Sequence, residues 1–508
     1  MNNTKGIWKV IGASSVGTLI EWYDFYIFGS LATIISEKFF PAGNPTAAFL
    51  ATLATFAAGF IVRPFGALFF GRLGDIIGRK HTFLLTLVIM GGSTFLIGCI
   101  PSYENFSWAP GVILLLRLLQ GLALGGEYGG AATYVAEHAP ANRRGYYTSW
   151  IQTTATLGLF VSLIVIITTQ KLLSKEDYNE WGWRLPFLLS ILLVIVSIVI
   201  RMKMNESPLF AKLKSEGKTS VNPLKESFGH KANLKMVLLA LFGATMGQGV
   251  VWYTGQFYAQ TFLLKVCNME ATQANTWIGI ALLLATPFFV VFGSLSDKIG
   301  RKAIMLTGML LAVICYRPVF QSLHDMTDLS MKQEVTASTK INIVTAADIK
   351  VATDSITTTT TNKTFTDGTT YLEVSTQHIS KTAVPVNPEI KKTVTLDDSY
   401  QWKFTGLIFI LVLFVTMVYG PIAAFLVELF PTKIRYTSMS LPYHIGNGVF
   451  GGLVPFIATL ILTIPGTDYL SGLYYPMGVA AVCFIIGLLY LGNKKDEDVS
   501  DDKNEYTS

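Results

Sequence analysis

Long apolar runs separated by short polar segments dominate this chain. A helix needs about 20 apolar residues to cross the hydrocarbon core of a bilayer, and the runs of that length predict twelve spans. They cover residues 10–36, 48–71, 82–100, 111–137, 146–170, 184–202, 235–262, 274–293, 303–320, 404–430, 437–463 and 470–492. The first run contains Glu21 and Asp24 and lacks a small-residue cleavage site, so we interpret it as a retained helix and not a signal peptide.

Two segments interrupt the apolar pattern. Residues 203–234 form a basic, polar linker between spans 6 and 7, and residues 321–402 form a Thr-rich insertion between spans 9 and 10. Parts of the insertion alternate apolar with polar residues, which is typical of short strands. We predict a small β-rich external subdomain, with a disordered loop as the alternative. The chain ends in an acidic tail, 493–508, expected to be cytoplasmic.

A ten-residue motif occurs twice. Gly-x-Leu-x-Asp-x-Ile-Gly-Arg-Lys follows span 2 at 71–80 and span 8 at 293–302. A second pair, Glu-x-x-Pro-x-x-x-Arg, ends spans 4 and 10 at 137–144 and 428–435. The repeat predicts an all-α membrane protein of two pseudo-symmetric six-helix bundles, 1–202 and 235–492, the second interrupted by 321–402. Because the first half lacks the insertion, the core fold is expected not to need it. Many secondary transporters are built from such duplicated halves, with the substrate site between them.

The repeated motifs predict a gate on one side of the membrane. Glycines let an inner loop pass close between two helix ends, and the charged residues can bond to neighbouring helix ends. The alternative, that Arg and Lys only mark the inner side, does not explain the matched Asp and Gly. The predicted gate residues are Gly71, Asp75, Gly78, Arg79, Lys80, Glu137, Arg144, Asp297, Gly300, Arg301, Lys302, Glu428 and Arg435.

Composition and charge narrow the class of protein. Only 14% of the residues are charged and 51% are hydrophobic, against about 25% charged in soluble domains, which excludes a soluble enzyme, a disordered protein and a nucleic-acid binder. The net charge of +6 comes from Lys and Arg in loops on one side, so we interpret it as a topology signal that places both termini in the cytoplasm. The four cysteines have no metal or redox spacing, and neither a metal nor a cofactor is predicted.

Charged residues inside the predicted spans are the candidate chemistry, because intramembrane charges tend to mark substrate or ion paths. Glu21, Arg63 and Glu127 lie about 12–16 Å from the inner ends of their spans and are expected to share one layer. Asp24 sits one turn further out, within reach of Arg117 in span 4. Making and breaking a carboxylate–guanidinium pair changes the proton affinity of the carboxylate, which suits proton coupling.

Each of these charges also has a structural interpretation. Asp24 and Arg117 can be a fixed ion pair, and Glu127, surrounded by glycines, can belong to tight helix packing. Arg63 can clamp a substrate carboxylate or brace the motif loop below it. Seven polar and aromatic residues are further candidates for the substrate cavity: Tyr23, Gln248, Tyr253, Gln256, Tyr443, His444 and Asn447. His444 is either a proton site or a structural histidine.

The motifs resemble the signature loop of the major facilitator superfamily. Segments 21–26, 63–64, 117–129, 181–184 and 206–208 resemble its metabolite:proton symporter family. The resemblance implies proton-driven uptake of organic acids such as 2-oxoglutarate, citrate or shikimate, or of zwitterions such as proline and betaine. The insertion departs from the family pattern. So does the short tail, which has no heptads and argues against an osmosensing role.

The sequence therefore predicts a monomeric secondary transporter in a bacterial-type plasma membrane that imports a small organic acid with protons by alternating access. Arg63 and Arg117 favour an acid, while a zwitterionic osmolyte or an uncoupled facilitator are alternatives. A membrane enzyme is disfavoured by the lack of metal-spaced His clusters, a Gly-x-Ser-x-Gly elbow or a phosphate loop. A channel has no reason to duplicate a gate, and span 5 lacks the Gly-rich, Pro-containing pattern of drug antiporters.

Overall fold

Twelve helical spans follow one another in the predicted order. The computed structural model describes residues 4–40, 45–347, 355–379 and 388–492. The spans are Thr4–Ser30 with Ala32–Phe39 (span 1), Pro45–Ile61 with Arg63–Ile77 (span 2), Arg79–Cys99 (span 3), Ala109–His138 (span 4), Arg144–Gln152 with Thr154–Leu172 (span 5), Leu185–Met202 (span 6), Lys231–Lys265 (span 7), Ala271–Ile299 (span 8), Arg301–Thr327 (span 9), Gln401–Tyr419 with Ile422–Leu429 (span 10), Arg435–Leu462 (span 11) and Tyr474–Tyr490 (span 12).

Within the described residues, eleven of these spans are long and apolar enough to cross a membrane. The remaining one is span 1, whose helix Thr4–Ser30 has 27 residues and is long enough to cross. Glu21 and Asp24 lower its hydropathy, but both carboxylates are buried against other spans. Charges that face the interior of a helix bundle are compatible with a membrane position, so span 1 completes the predicted set.

Spans 7 and 11 are irregular near their centres. Span 7 contains π-helical turns at Leu241–Thr245 and Thr254–Tyr258, and span 11 contains one at Ile445–Gly451. The two backbones touch where a Cβ on Gly249 would lie 2.3 Å from the carbonyl oxygen of Gly446, so only glycine permits the contact. π-Helical turns often occur at functional sites, because they leave backbone groups free to rearrange.

The insertion between spans 9 and 10 folds as a four-stranded antiparallel sheet, which confirms the predicted β-rich subdomain. Its strands are β1 (Lys340–Ala347), β2 (Ser355–Thr364), β3 (Thr370–Ile379) and β4 (Glu389–Thr395), in the spatial order β1-β2-β3-β4. The run of threonines lies in β2, where Thr357 stands opposite Thr345 of β1 and Gln377 of β3. The β-branched threonines therefore occupy an inner strand, which suits their propensity.

The predicted borders of the insertion and the linker need correction. Span 9 continues past the predicted end at 320 as far as Thr327, because Leu323 and Met326 keep one face of the helix buried. At the other border, span 10 begins at Gln401. The linker 203–234 is partly helical, since it contains the helix Pro208–Ser215 and the first turn of span 7.

The two halves meet closely on the side that carries the repeated motif loops, which we call the inner side; the side of the sheet is the outer side. A Cβ on Gly145 in span 5 would lie 2.3 Å from the carbonyl oxygen of Gly293 in span 8. A Cβ on Gly71 in span 2 would lie 2.9 Å from Cα of Thr437 in span 11. These helices therefore approach each other at the distance that glycine allows.

Candidate functional site: a two-fold inner gate and an outer cavity

Asp75 of span 2 binds the start of span 11 in the opposite half. Its carboxylate accepts hydrogen bonds from the backbone N–H of Thr437 at 2.9 Å and from the Thr437 hydroxyl at 2.7 Å. The first turn of a helix has unpaired N–H groups and the positive end of the helix dipole, so it attracts an anion. Arg79 lies 2.8 Å from the same carboxylate, and both side chains are fully buried.

Asp297 makes the equivalent contacts in the opposite direction. Its carboxylate accepts hydrogen bonds from the backbone N–H groups of Gly145 and Tyr146, both at 2.8 Å, in the first turn of span 5. Arg301 lies 2.6 Å from this carboxylate, in the position that Arg79 takes beside Asp75. Each motif aspartate thus caps a helix of the other half, and the internal repeat appears as a two-fold arrangement of contacts.

The two glutamates that end spans 4 and 10 complete the inner charge network. Glu137 lies 3.1 Å from Arg435 and 3.5 Å from Arg79, so it joins the two halves. The remaining pairs are Arg301–Glu428 at 2.9 Å and Arg144–Glu428 at 4.0 Å. All thirteen predicted gate residues belong to the two motif loops and these span ends, and the charges among them close the inner side of the interface.

The glycines and lysines of the motif shape the helix ends. Gly78 and Gly300 have φ of +121° and +101°, a conformation that side chains with a Cβ rarely adopt, and each separates two consecutive spans. Lys80 donates to the carbonyl of Met202 at 3.1 Å, and Lys302 donates to that of Leu488 at 2.9 Å. Both lysines thus bind the carboxyl ends of the last spans of their halves, where a cation is favoured.

Glu206 belongs to this gate but was not predicted to. Its carboxylate accepts the backbone N–H groups of Arg79 and Lys80 at 3.1 and 3.3 Å, at the start of span 3. The sequence analysis named its segment, 206–208, only for the resemblance to the symporter family and gave Glu206 no role. Its position one residue before Ser207, which donates a short hydrogen bond to Glu137, connects the linker to the gate.

Asp24 and Arg117 lie together in the middle of the first half. Arg117 Nη1 donates to Asp24 Oδ2 at 3.0 Å, and Gln120 Nε2 donates to Asp24 Oδ1 at 3.0 Å. Arg117 is 4% exposed and its guanidinium lies 3.5 Å from the centre of the Phe28 ring. Among the described residues, Nε and Nη2 of Arg117 have no hydrogen-bond partner. One edge of this buried cation therefore remains available.

Arg63 pairs with Glu21 at 3.6 Å and lies over the ring of Phe60 at 4.4 Å. These contacts are with spans 1 and 2 near their centres and not with the motif loop, which weakens the alternative that Arg63 braces that loop. Its Nε has no partner among the described residues. A second cation with an available N–H group thus lies in the same half as Arg117.

Glu127 forms its ion pair with a residue that the sequence analysis did not name, while Arg63 pairs with Glu21. Glu127 lies 2.5 Å from Arg201 and accepts a hydrogen bond from the Thr86 hydroxyl at 2.8 Å. Arg201 lies at the inner end of span 6 and was not predicted to take part in the buried charges, but its side chain is 1% exposed and points into the bundle. A buried glutamate without an assigned cation was the signal that a partner was missing.

An outer cavity of about 520 Å³ lies between the halves. Its lining residues are Phe25, Tyr26, Gly29, Ser30, Phe56, Leu159, Leu163, Gln256, Phe257, Gln260, Asn275, Ile278, Gly279 and Leu282. Ser30 and Asn275 are exposed at its rim. With the inner side closed by the charge network and this cavity on the outer side, the structure corresponds to an outward-facing arrangement.

Of the seven predicted cavity residues, only Gln256 lines this cavity. Gln248 and Asn447 bond to each other in both directions, at 3.0 and 2.9 Å, and so satisfy each other. Tyr443 stacks on Tyr128 with ring centres 3.7 Å apart. Tyr23 bonds to the carbonyl of Pro186, while Tyr253 and His444 are buried below the cavity. Helical spacing placed these residues on interior faces, but it carries no information about which face lines a cavity.

The sequence analysis also missed two amides on the cavity wall. Gln260 of span 7 donates to Asn275 of span 8 at 2.7 Å, and both line the cavity. Phe25 and Phe56, with ring centres 5.1 Å apart, line the cavity on one side and the small space around Asp24, Arg63 and Arg117 on the other. These two rings separate the cavity from the buried charges.

Two six-helix halves, joined by a symmetric charge network on one side and parted by a cavity on the other, define a multi-pass membrane transporter and not an enzyme. A family described as "Sugar (and other) transporter" matches residues 9–220. Alpha-ketoglutarate permease of Escherichia coli is 36% identical over 322 residues, 63% of this chain and 73% of its own length. The chain belongs to the major facilitator superfamily.

Two further comparisons extend this result. The proline/betaine transporter of Salmonella typhimurium is 33% identical over 326 residues, which cover 61% of this chain and 64% of that protein. A structure of the major facilitator proton:xylose symporter XylE of Escherichia coli matches with a TM-score of 0.67 and 15% identity, over 98% of both chains. At that identity the match shows the fold alone.

Proposed function

We propose that the protein imports a small organic acid together with protons by alternating access across a bacterial inner membrane. The observation that carries this proposal is the available edge of Arg117. Nη1 is bound to Asp24, while the adjacent Nε and Nη2 have no partner among the described residues. This edge of a guanidinium binds a carboxylate through two parallel hydrogen bonds, and the half-buried Arg63 offers a second cation nearby.

Proton coupling follows from competition for Arg117. A substrate carboxylate that binds Arg117 weakens the attraction between Arg117 and Asp24, and Asp24 then takes up a proton from the outer side. Gln120 stays within hydrogen-bonding distance of Asp24 in either protonation state, because an amide both donates and accepts. Release of the substrate on the inner side restores the ion pair and expels the proton.

The path to this pair leads through the outer cavity and past Phe25 and Phe56. Rotation of these rings would connect the cavity with the space around Arg117. Once substrate and proton are both bound, Arg117 is paired with the substrate carboxylate and Asp24 is neutral. No uncompensated buried charge then remains at this pair, whereas substrate without the proton would leave one, so the halves move at lower cost when both are bound. The inner contacts of Asp75 and Asp297 then break, and the inner side opens.

A zwitterionic osmolyte is the second candidate, because aromatic rings surround the approach to Arg117. The rings of Phe25 and Phe56 lie 5.1 Å apart and those of Phe25 and Phe257 lie 5.4 Å apart, and all three line the outer cavity. Aromatic faces bind quaternary ammonium groups through cation–π attraction. A betaine would place its carboxylate on Arg117 and its ammonium against these rings. One relative is named a proline/betaine transporter and another a permease for alpha-ketoglutarate.

The test is an uptake panel in membrane vesicles with radiolabelled 2-oxoglutarate, citrate, shikimate, proline and glycine betaine, with and without a protonophore. We expect concentrative uptake of an acid that the protonophore abolishes. Arg117→Lys is the matched variant, because lysine keeps the charge but lacks the two-point edge. It should raise the KM for the acid. Accumulation that survives the protonophore, or uptake of betaine but of no acid, would overturn the proposal.

A further inference from the structure

The external sheet is joined to the loop between spans 7 and 8. The backbone N–H of Val394 in β4 donates to the carbonyl of Asn268 at 2.7 Å, and the N–H of Glu270 donates to the carbonyl of Val394 at 2.8 Å. Gln273 in span 8 donates to the carbonyl of Leu396 at 2.7 Å and accepts the Leu396 N–H at 2.9 Å. We call these four bonds the clasp.

The clasp is a buried joint. Val394 and Leu396 are each 3% exposed and belong to the main hydrophobic core of the second half, together with Cys267 and Met269 of the loop. Asn268 adopts a left-handed conformation with φ of +51°, which turns its carbonyl toward β4. Asparagine tolerates this conformation better than most residues. The sheet therefore shares the core of the bundle.

A second anchor fixes the sheet to spans 9 and 10. Lys332 lies 2.5 Å from Asp367, and the hydroxyl of Tyr400 donates to the same carboxylate at 2.8 Å. Lys332 also donates to the hydroxyl of Thr369 at 2.9 Å. With this anchor at its base and the clasp at β4, the sheet connects the outer ends of four spans of the second half.

The clasp lies directly above the wall of the outer cavity. Gln273 stands two residues before Asn275, whose bond to Gln260 of span 7 crosses that wall. Below Gln260, the π-helical turn Thr254–Tyr258 interrupts the regular bonding of span 7. Such a turn is a place where a helix bends. Any inward bend of the outer part of span 7 moves the loop that the clasp holds.

We propose that the external sheet is a positioning element of the outer gate, which holds the outer ends of spans 7 and 8 in the arrangement that keeps the cavity open. The clasp bonds are made in the outward-facing arrangement. An inward bend of span 7 that leaves the sheet in place breaks them, and bonds lost in the second state shift the equilibrium toward the first. The sheet thus slows closure of the outer side. This inference rests on the transporter fold and does not depend on the identity of the substrate.

The test measures access to the cavity without any substrate. The reporter is Ser30→Cys, on the cavity rim opposite spans 7 and 8, labelled with a membrane-impermeant maleimide. Cys99 and Cys315 are replaced by serine in the same chain. The other two cysteines are buried and can stay. Gln273→Ala removes two clasp bonds, and the labelling rate should fall roughly fivefold or more, as expected for the loss of two hydrogen bonds. Gln273→Glu keeps the acceptor for the Leu396 N–H, and its labelling rate should lie between those of the parent and Gln273→Ala.

Thr276→Ala is the matched control, because within the described part of the chain the hydroxyl of Thr276 bonds only to the carbonyl of Thr272 in its own helix. It should label at the parent rate. Size-exclusion profiles in detergent establish that each variant is folded. Unchanged labelling in both Gln273 variants would show that the sheet moves with the spans, and would overturn the proposal. Because no transport is measured, failure of the uptake panel leaves this result unaffected.

Discussion

The carboxylate of Asp75 accepts the backbone N–H of Thr437 at 2.9 Å, although the two residues belong to opposite halves of the chain. The bond between Asp297 and Tyr146, at 2.8 Å, is its counterpart in the other direction. Each half thus holds the N-terminus of a helix of the other half, and a helix N-terminus favours a nearby anion. Opening of the inner side must break both contacts.

The first prediction concerns Asp75→Asn. The amide keeps one acceptor but loses the charge that pairs with Arg79 and the helix end, and hydrogen bonds to charged groups contribute about 1.5–3 kcal/mol. The outward-facing state should lose about that much stability. We expect transport to fall sharply, membrane insertion to stay normal, and a cysteine on the inner side of span 11 to react faster with a thiol reagent added to inside-out vesicles.

Asp297→Asn is the matched variant, since it removes the pseudo-symmetric carboxylate, which binds the start of span 5. It should likewise make a cysteine on the inner side react faster with the thiol reagent. Full transport and unchanged accessibility in both variants would remove the aspartates from the gate.

The charged residues of the inner network could be identified from the sequence because they lie in short motifs that occur twice. The spacing from Gly71 to Lys80 recurs from Gly293 to Lys302, and the chemistry of a short loop follows from its residue types. The sheet was likewise visible as alternating polarity. Contacts between distant spans could not be predicted in this way. Arg201 lies at the end of span 6 among linker lysines, and nothing in its neighbourhood distinguishes a side chain that turns inward. The cavity depends on the relative position of the halves, which helical periodicity does not contain.

The second prediction tests the pair that the sequence did not reveal. Arg201→Ala leaves the carboxylate of Glu127 buried without its cation, which should cost about 3–5 kcal/mol. We expect a lower Tm in detergent. Arg201→Met combined with Glu127→Gln should recover most of the Tm, because neither charge remains. If this double variant also transports with normal proton dependence, the pair is structural; loss of proton dependence alone would assign Glu127 to coupling.

The third prediction concerns the insertion. Replacement of 340–392 by a short Gly-Ser linker should yield folded protein that still transports, because it retains Val394 and Leu396, through which the sheet shares the core of the second half. Replacement of 321–402 should fail to fold, because it also removes the buried Leu323, Met326 and Val394. Monodispersity in detergent and counterflow in vesicles measure the two properties. A folded product from the longer replacement would contradict the corrected borders.

The fourth prediction is a pH dependence of the external sheet. Partial burial raises the pKa of Asp367, but hydrogen bonds from Lys332, Thr369 and Tyr400 outweigh it and hold the pKa well below its usual value. A carboxyl whose pKa is lowered by folding stabilises the fold above its unfolded pKa of about 3.9, and this stabilisation is lost as pH falls. Asp367→Asn should therefore speed tryptic cleavage within the insertion at pH 7.

Below the pKa that Asp367 has in the folded protein, its carboxylate is protonated in the parent chain as well. Pepsin should then cleave the parent and Asp367→Asn at similar rates. Glu373→Gln, on the same sheet and remote from Lys332 in its hydrogen bonding, is the control. If the cleavage rates of the parent and Asp367→Asn differ by the same factor at both pH values, the effect does not come from the charge of Asp367.

The last prediction addresses the pair on which proton coupling rests. Asp24 and Arg117 are 1% and 4% exposed, so removal of either partner leaves a buried charge without its counter-ion, at a cost of about 3–5 kcal/mol. Asp24→Asn should abolish pH-driven accumulation in reconstituted vesicles while counterflow of unlabelled against labelled substrate continues, because exchange needs no net proton movement.

Arg117→Ala should lose both activities, since the substrate carboxylate loses its binding edge. The double variant Asp24→Asn, Arg117→Met should regain stability without regaining either activity, which separates folding from function. Normal pH-driven accumulation by Asp24→Asn would remove Asp24 from the coupling mechanism and leave Glu21, paired with Arg63, as the residue to test next.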